Sequence, residues 1–223
     1  MRRLATLLAI ALALGACASA APPVDAPVGR SGPASIEPSS PLGTPTSPLT
    51  TPTPRPVPTG IPYASPGPAP FFDGLVTGAD SPFQLTGLAG HPTFVFFGYT
   101  HCPDICPATI GELVLVLQGD PDARVVFATI DPERDTPAFL AEWGKSLPAQ
   151  FTPVTGTPLA VRAVADAWGV RYARVESTSA AGYSMSHTAD VYLVDASGRL
   201  IQRYPFGTPA QVMLDDLRGL PAS

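Results

Sequence analysis

Cys102 and Cys106 stand four residues apart in Gly98-Tyr99-Thr100-His101-Cys102-Pro103-Asp104-Ile105-Cys106-Pro107, directly after the apolar run Thr93-Phe94-Val95-Phe96-Phe97. A β-rich run that stops at a glycine and turns through Pro103 into a helical pattern puts both thiols at the first turn of a helix. Their spacing then places them on one helical face. The amides and partial positive charge of a helix N-terminus favour thiolate over thiol, and the thiolate is both the nucleophile and the soft-metal ligand. Such a pair either closes into a disulfide or holds a thiophilic ion. A third donor, His187, lies far downstream in Tyr183-Ser184-Met185-Ser186-His187-Thr188. Two thiolates and one imidazole form a low-coordinate set that suits Cu(I), and one further weak donor extends it to Cu(II). Zinc accepts the same ligands but generally wants a fourth.

The elements that must bring these side chains together follow from hydrophobic pattern and punctuation. Phe83 to Thr86 reads as a short strand, Thr93 to Gly98 as a strand buried on both faces, Pro107 to Gln118 as a helix, and Arg124 to Asp131 as a second buried strand. Together the last three make a βαβ unit. Asp135 or Thr136 caps a helix with Pro137 in its first turn that runs to Ser146; Phe151 to Val154 is a short strand. Thr157 caps another helix, Pro158 to Trp168, which stops at Gly169. Ala189 to Val194 and Arg199 to Tyr204 form a hairpin through Asp195-Ala196-Ser197-Gly198, and a last helix spans Thr208 to Leu217. This order is the thioredoxin-like plan: an α/β fold with a central mixed sheet flanked by helices, and cysteines where the first βαβ strand meets its helix. In that plan the loop holding His187 lies beside the cysteine turn. Ordinary thiol oxidoreductases of this fold place a cis-proline just before the hairpin strand; here His187-Thr188 stands in its place, a ligand instead of a backbone lock.

The chain's beginning reads as export. Met1-Arg2-Arg3 is a basic n-region and Leu4 to Leu14 an apolar run too short to span a bilayer. It ends in Leu14-Gly15-Ala16-Cys17, which resembles the lipobox cut by bacterial lipoprotein signal peptidase. Residues 1–16 are then a signal peptide and Cys17 the lipidated first residue, whose acyl chains supply the double anchor that stable membrane attachment needs. With Cys17 assigned to lipid, one cysteine pair is left for chemistry. Export also puts that pair in an oxidising compartment, so any role for reduced thiolates requires an extracytoplasmic thiol reductant. Residues 17–70 are rich in Pro, Ser and Thr, poor in charge, and read as a disordered tether that spans on the order of 160 Å when fully extended. Residues 71–223 suffice for one domain with its own core. A net charge of −5 gives no basic face, so nucleic-acid binding has no support.

Three ordered motifs carry a family resemblance. Phe96-Phe97-Gly98-Tyr99-Thr100-His101-Cys102-Pro103-Asp104-Ile105-Cys106-Pro107, Asp131-Pro132-Glu133-Arg134-Asp135-Thr136-Pro137, and Tyr183-Ser184-Met185-Ser186-His187 followed by Tyr192-Leu193-Val194-Asp195 resemble the Sco/SenC family over nearly the whole domain. The resemblance implies a membrane-tethered, extracytoplasmic copper metallochaperone that helps metallate the CuA-bearing subunit of cytochrome c oxidase, fed by a copper donor. It implies Cys102, Cys106 and His187 as copper ligands, with the cysteines doubling as a redox pair. The competing function is a thiol-disulfide oxidoreductase in which Cys102 attacks a partner's disulfide. Of the remaining candidates, His101 reads as a surface residue, His91 as a turn residue, Asp131 and Asp135 as loop-ordering and capping groups, and Met185 as packing with a minor claim as a weak copper donor.

Overall fold

The computed structural model describes Val57 and residues 59–176 and 182–220. The signal segment, Cys17 and most of the proline-rich tether lie outside the described residues. In chain order the elements are β1 (Ile61–Pro68), β2 (Leu75–Thr77), β3 (Thr93–Gly98), α1 (Ile105–Gly119), β4 (Arg124–Thr129), α2 (Pro137–Gly144), β5 (Phe151–Gly156), α3 (Pro158–Ala167), β6 (Tyr172–Glu176), β7 (Tyr183–His187), β8 (Val191–Val194), β9 (Arg199–Tyr204) and α4 (Ala210–Arg218). A single sheet runs β1-β9-β8-β3-β4-β5-β2, parallel across β3-β4-β5 and antiparallel at its other junctions. This is the thioredoxin-like α/β architecture expected from the pattern of runs.

Every residue of β3 is buried, as are the last five of β4, because strands in the middle of a sheet covered on both faces have no polar side to offer. Phe96 and Phe127 meet across these strands at a centroid separation of 6.1 Å, and Phe127 continues to Trp143 at 5.0 Å. Each fully buried aromatic of this kind contributes roughly 1.5–3 kcal/mol. α1 turns Cys106, Thr109, Leu113, Val116 and Leu117 inward, the spacing of a helix with one face on a sheet. α2 and α3 start where the sequence punctuates them: Thr136 accepts from the Phe139 N–H at 3.3 Å and Thr157 from the Ala160 N–H at 3.2 Å, each followed by a proline.

Several segments differ from the sequence expectation. Phe83 to Thr86 is not a strand: a single bridge joins Pro82 to Val76, and Leu85–Leu88 is a 3-10 turn. Phe83 is held instead by its ring, edge-on to Phe72 at 5.4 Å. The stretch read as tether ends in β1, which pairs antiparallel with β9 through a bulge between Pro62 and Gly67. Its prolines are tolerated because an edge strand has one side that donates to no neighbour. His187 lies in no loop but closes β7, which pairs with β6 to make a two-stranded ribbon outside the main sheet. Among the described residues no helix is long and apolar enough to cross a membrane.

Candidate metal centre

The cysteine turn sits between the carboxyl end of β3 and the start of α1. Gly98 makes the approach possible: a Cβ there would lie 2.9 Å from Cys106 Sγ and 2.9 Å from Phe96 Cε1, closer than carbon and sulfur tolerate. The Cys106 N–H, one of the unpaired amides of the first turn of α1, points at Cys102 Sγ at 3.4 Å. Burial by itself pushes the Cys102 thiol up, but the N–H groups of Asp104 and Cys106, the Cys106 thiol and the Tyr99 hydroxyl together bring it below the ordinary cysteine value. Cys106, 1% exposed, is pushed far up by burial and by the neighbouring sulfur. One acidic thiol thus faces one that holds its proton.

His187 arrives from the ribbon. Its Nδ1–H donates to the Thr188 carbonyl at 2.9 Å, and a carbonyl can only accept, so the free lone pair is on Nε2. That Nε2 accepts from the Cys106 thiol at 3.6 Å. Burial lowers the imidazole's pKa, with the Thr188 hydrogen bond opposing it, which keeps the ring neutral and able to ligate. Its ring is packed edge-on between Tyr99 at 6.0 Å and Phe96 at 6.3 Å. The two sulfurs and the imidazole nitrogen all lie within 4.8 Å of one another. An ion with bonds of about 2.3 Å to sulfur and about 2.0 Å to nitrogen holds a sulfur and a nitrogen up to roughly 4.3 Å apart and two sulfurs up to roughly 4.6 Å, so small side-chain movements close the set on one centre. The donor chemistry therefore fits a soft, low-coordinate ion.

Asp135 supports the turn from beneath. Wholly buried, it accepts from the Thr100 N–H at 3.1 Å, the Thr100 hydroxyl at 2.5 Å and the Thr129 hydroxyl at 2.6 Å, stitching the cysteine turn to the loop between β4 and α2. Burial raises its carboxyl pKa against those hydrogen bonds. His101 donates from Nδ1 to the Thr100 hydroxyl at 3.0 Å and stacks on Phe139 at the surface, outside the donor cluster. His91 is at the opposite end of β3, paired with Asp122 at 2.8 Å. Met185 packs against the core. Cys17 lies outside the described residues. Asp131, expected to order its loop, also receives the Tyr183 hydroxyl at 2.8 Å. Tyr183 and Arg134 stand in the motifs with nothing in their local sequence to mark this contact; the alternation Tyr183-Ser184-Met185-Ser186-His187 is the available sign of a strand with one inward face.

The likeness to known proteins covers this whole unit. An SCO2-like protein of Rickettsia prowazekii is 33% identical over 138 residues, 60% of this chain and 67% of that protein. The copper-bound structure of Bradyrhizobium japonicum ScoI superposes with a TM-score of 0.59 at 30% identity, covering 70% of this chain and 99% of the other. Copper-bound ScoI of Arabidopsis thaliana gives a TM-score of 0.61 at 26% identity over 68% and 94% of the two chains. The family model described as SCO1/SenC matches residues 70–221, from just after β1 through α4 and over every motif of the cysteine–histidine cluster. With its fold, its motifs and most of its length accounted for in this way, the chain belongs to the SCO1/SenC family.

Proposed function

We propose that this protein is an extracytoplasmic copper metallochaperone that binds its cargo through Cys102 Sγ, Cys106 Sγ and His187 Nε2 and passes it to the CuA-bearing subunit of cytochrome c oxidase. The observation that carries the reading is the convergence of three soft donors within 4.8 Å, with the lone pair of His187 Nε2 left free toward the sulfurs by the Nδ1 hydrogen bond. Thiolates and a neutral imidazole prefer Cu(I), and a weak extra donor admits Cu(II). The copper-bound state of similar proteins supports the same cargo here. Diacylation at Cys17 after removal of residues 1–16 anchors the chain to a bacterial membrane, and the tether, residues 17–70 shortened by β1, gives the domain its reach. A copper donor and a thiol reductant outside the cytoplasm complete the partners, because an oxidised pair cannot ligate copper.

A second function has its own support. The lowered pKa of Cys102 beside the buried Cys106 is the asymmetry of an attacking and a resolving thiol. In thiol-disulfide exchange, Cys102 thiolate attacks a partner disulfide and expels one partner thiolate. Cys106, on losing its proton, then attacks the mixed disulfide and releases the second, leaving Cys102–Cys106 oxidised and the partner reduced by two electrons. Titrating the reduced chain and its His187→Ala variant with Cu(I), alongside an assay of disulfide reduction, separates the two. Weakened copper binding in the variant supports the chaperone. Unchanged affinity with rapid disulfide reduction would falsify it in favour of the oxidoreductase.

A further inference from the structure

The ribbon of β6 and β7 carries the imidazole yet, among the described residues, shares no hydrogen-bond ladder with the main sheet, so side chains are what hold it against the cysteine turn. Two arginines, Arg162 and Arg134, reach it from outside, and a third, Arg174, belongs to β6 itself. Arg162 lies over the Tyr172 ring at 3.6 Å and Arg174 over the Tyr183 ring at 3.7 Å, but their side chains are 43% and 47% exposed, where solvent screens what they contribute. Arg134 is different. Its side chain is 19% exposed, its Nε donates to Asp131 at 2.5 Å and its Nη1 to the Tyr183 carbonyl on β7 at 3.1 Å. Its guanidinium lies 3.7 Å from the Tyr183 ring centroid and 5.6 Å from that of Tyr99, three residues before Cys102. Tyr183 adds a second strut from its hydroxyl to Asp131 at 2.8 Å. One planar group from the β4–α2 loop thus touches both the segment that bears the histidine and the segment that bears the cysteines.

We infer that Arg134 is a positioning residue of the metal centre, clamping the ribbon so that His187 Nε2 stays on the cysteine pair. This rests on the three-donor reading above. Arginine's fork is what lets it bond the Asp131 carboxylate and the Tyr183 carbonyl while stacking on a ring; an ammonium cannot do all three. Arg134 acts on copper only through His187, whereas a general stabiliser of the fold would act whichever ligands were present.

A double-mutant cycle on the full-length chain distinguishes these, with Cu(I) affinity read by competition against a chromophoric chelator. Arg134→Gln is expected to weaken binding roughly 10–100-fold, the range for outer partners of metal ligands. In the His187→Ala background the same substitution is expected to change affinity by less than about threefold, because the interaction it served is already gone. Nitrogen hyperfine coupling in the electron paramagnetic resonance spectrum of the Cu(II) form should weaken in Arg134→Gln. An equal loss in both backgrounds, or no loss in either, overturns the inference. Should His187→Ala alone leave affinity unchanged, the three-donor reading falls and takes the clamp with it, a result distinct from either. If Arg134→Gln does not fold, Arg134→Lys, which keeps the charge beside Asp131 without the fork, goes through the same cycle with the same expectation.

Discussion

At the scale of the residue, the two thiols are chemically unequal because of where α1 begins. Cys102 receives amide hydrogens from the first turn, and Cys106 is embedded in the core. A depressed pKa raises the thiolate fraction at a given pH, so alkylation of the reduced protein is expected to modify Cys102 with a midpoint below the ordinary value of about 8.5 and to spare Cys106. Peptide mass spectrometry after an iodoacetamide pulse at several pH values reads both sites, and equal labelling would contradict the assignment. His187 yields a second pH dependence. Its folded pKa lies below the unfolded value of about 6.5, so between the two the unfolded chain binds the proton that the native chain refuses. Its share of metal-free stability is therefore complete above about pH 6.5 and lost as pH falls toward the native pKa. Urea unfolding across pH 5 to 8, conditions chosen to bracket about 6.5, should show that slope in the wild type and a flatter one in His187→Gln.

Elements differ in how plainly they were written in the chain. β3, β4 and α1 were legible because runs such as Phe94-Val95-Phe96-Phe97 have no alternative to burial, and α2 and α3 because a threonine cap and a proline stand together at each start. β1 was hidden by its prolines, whose composition favours disorder until β9 offers an edge to pair with. The β6–β7 ribbon was hidden by its shortness, although Tyr183, Met185 and His187 alternate with serines. Local propensity decides little in strands of five residues that gain their partners only in the folded state. Packing at the β3–α1 junction leads to a direct test. Gly98→Ala places a methyl 2.9 Å from Cys106 Sγ and 3.1 Å from Phe127 Cε2, inside a core that cannot yield on either side. A loss of about 1–3 kcal/mol in urea unfolding is expected, together with weaker Cu(I) binding as α1 is pushed outward. A stable Gly98→Ala protein with normal copper affinity would mean the turn is looser than its packing implies.

For the whole molecule, anchorage and domain boundary are separable by truncation. Cys17→Ser should move the protein from the membrane to the soluble fraction on cell fractionation with its copper affinity intact. Deletion through Gly60 should leave the thermal midpoint unchanged, whereas deletion through Pro68 removes β1 and bares β9, lowering it. Equal midpoints for the two truncations would show that β1 adds no stability. The amino-acid sequence by itself determined the chemistry available: one thiol pair at a strand-to-helix turn, a histidine just before the hairpin strand, and an order of runs that admits the thioredoxin-like sheet. Those are matters of residue type and local period, which act over a few neighbours. Only the tertiary structure decided that Nε2 is the nitrogen facing the sulfurs, that Cys102 and not Cys106 is the acidic thiol, and that Arg134 bridges the two segments. Each depends on groups far apart in the chain that meet only when the core closes, because hydrogen-bond geometry and burial are properties of the assembled neighbourhood.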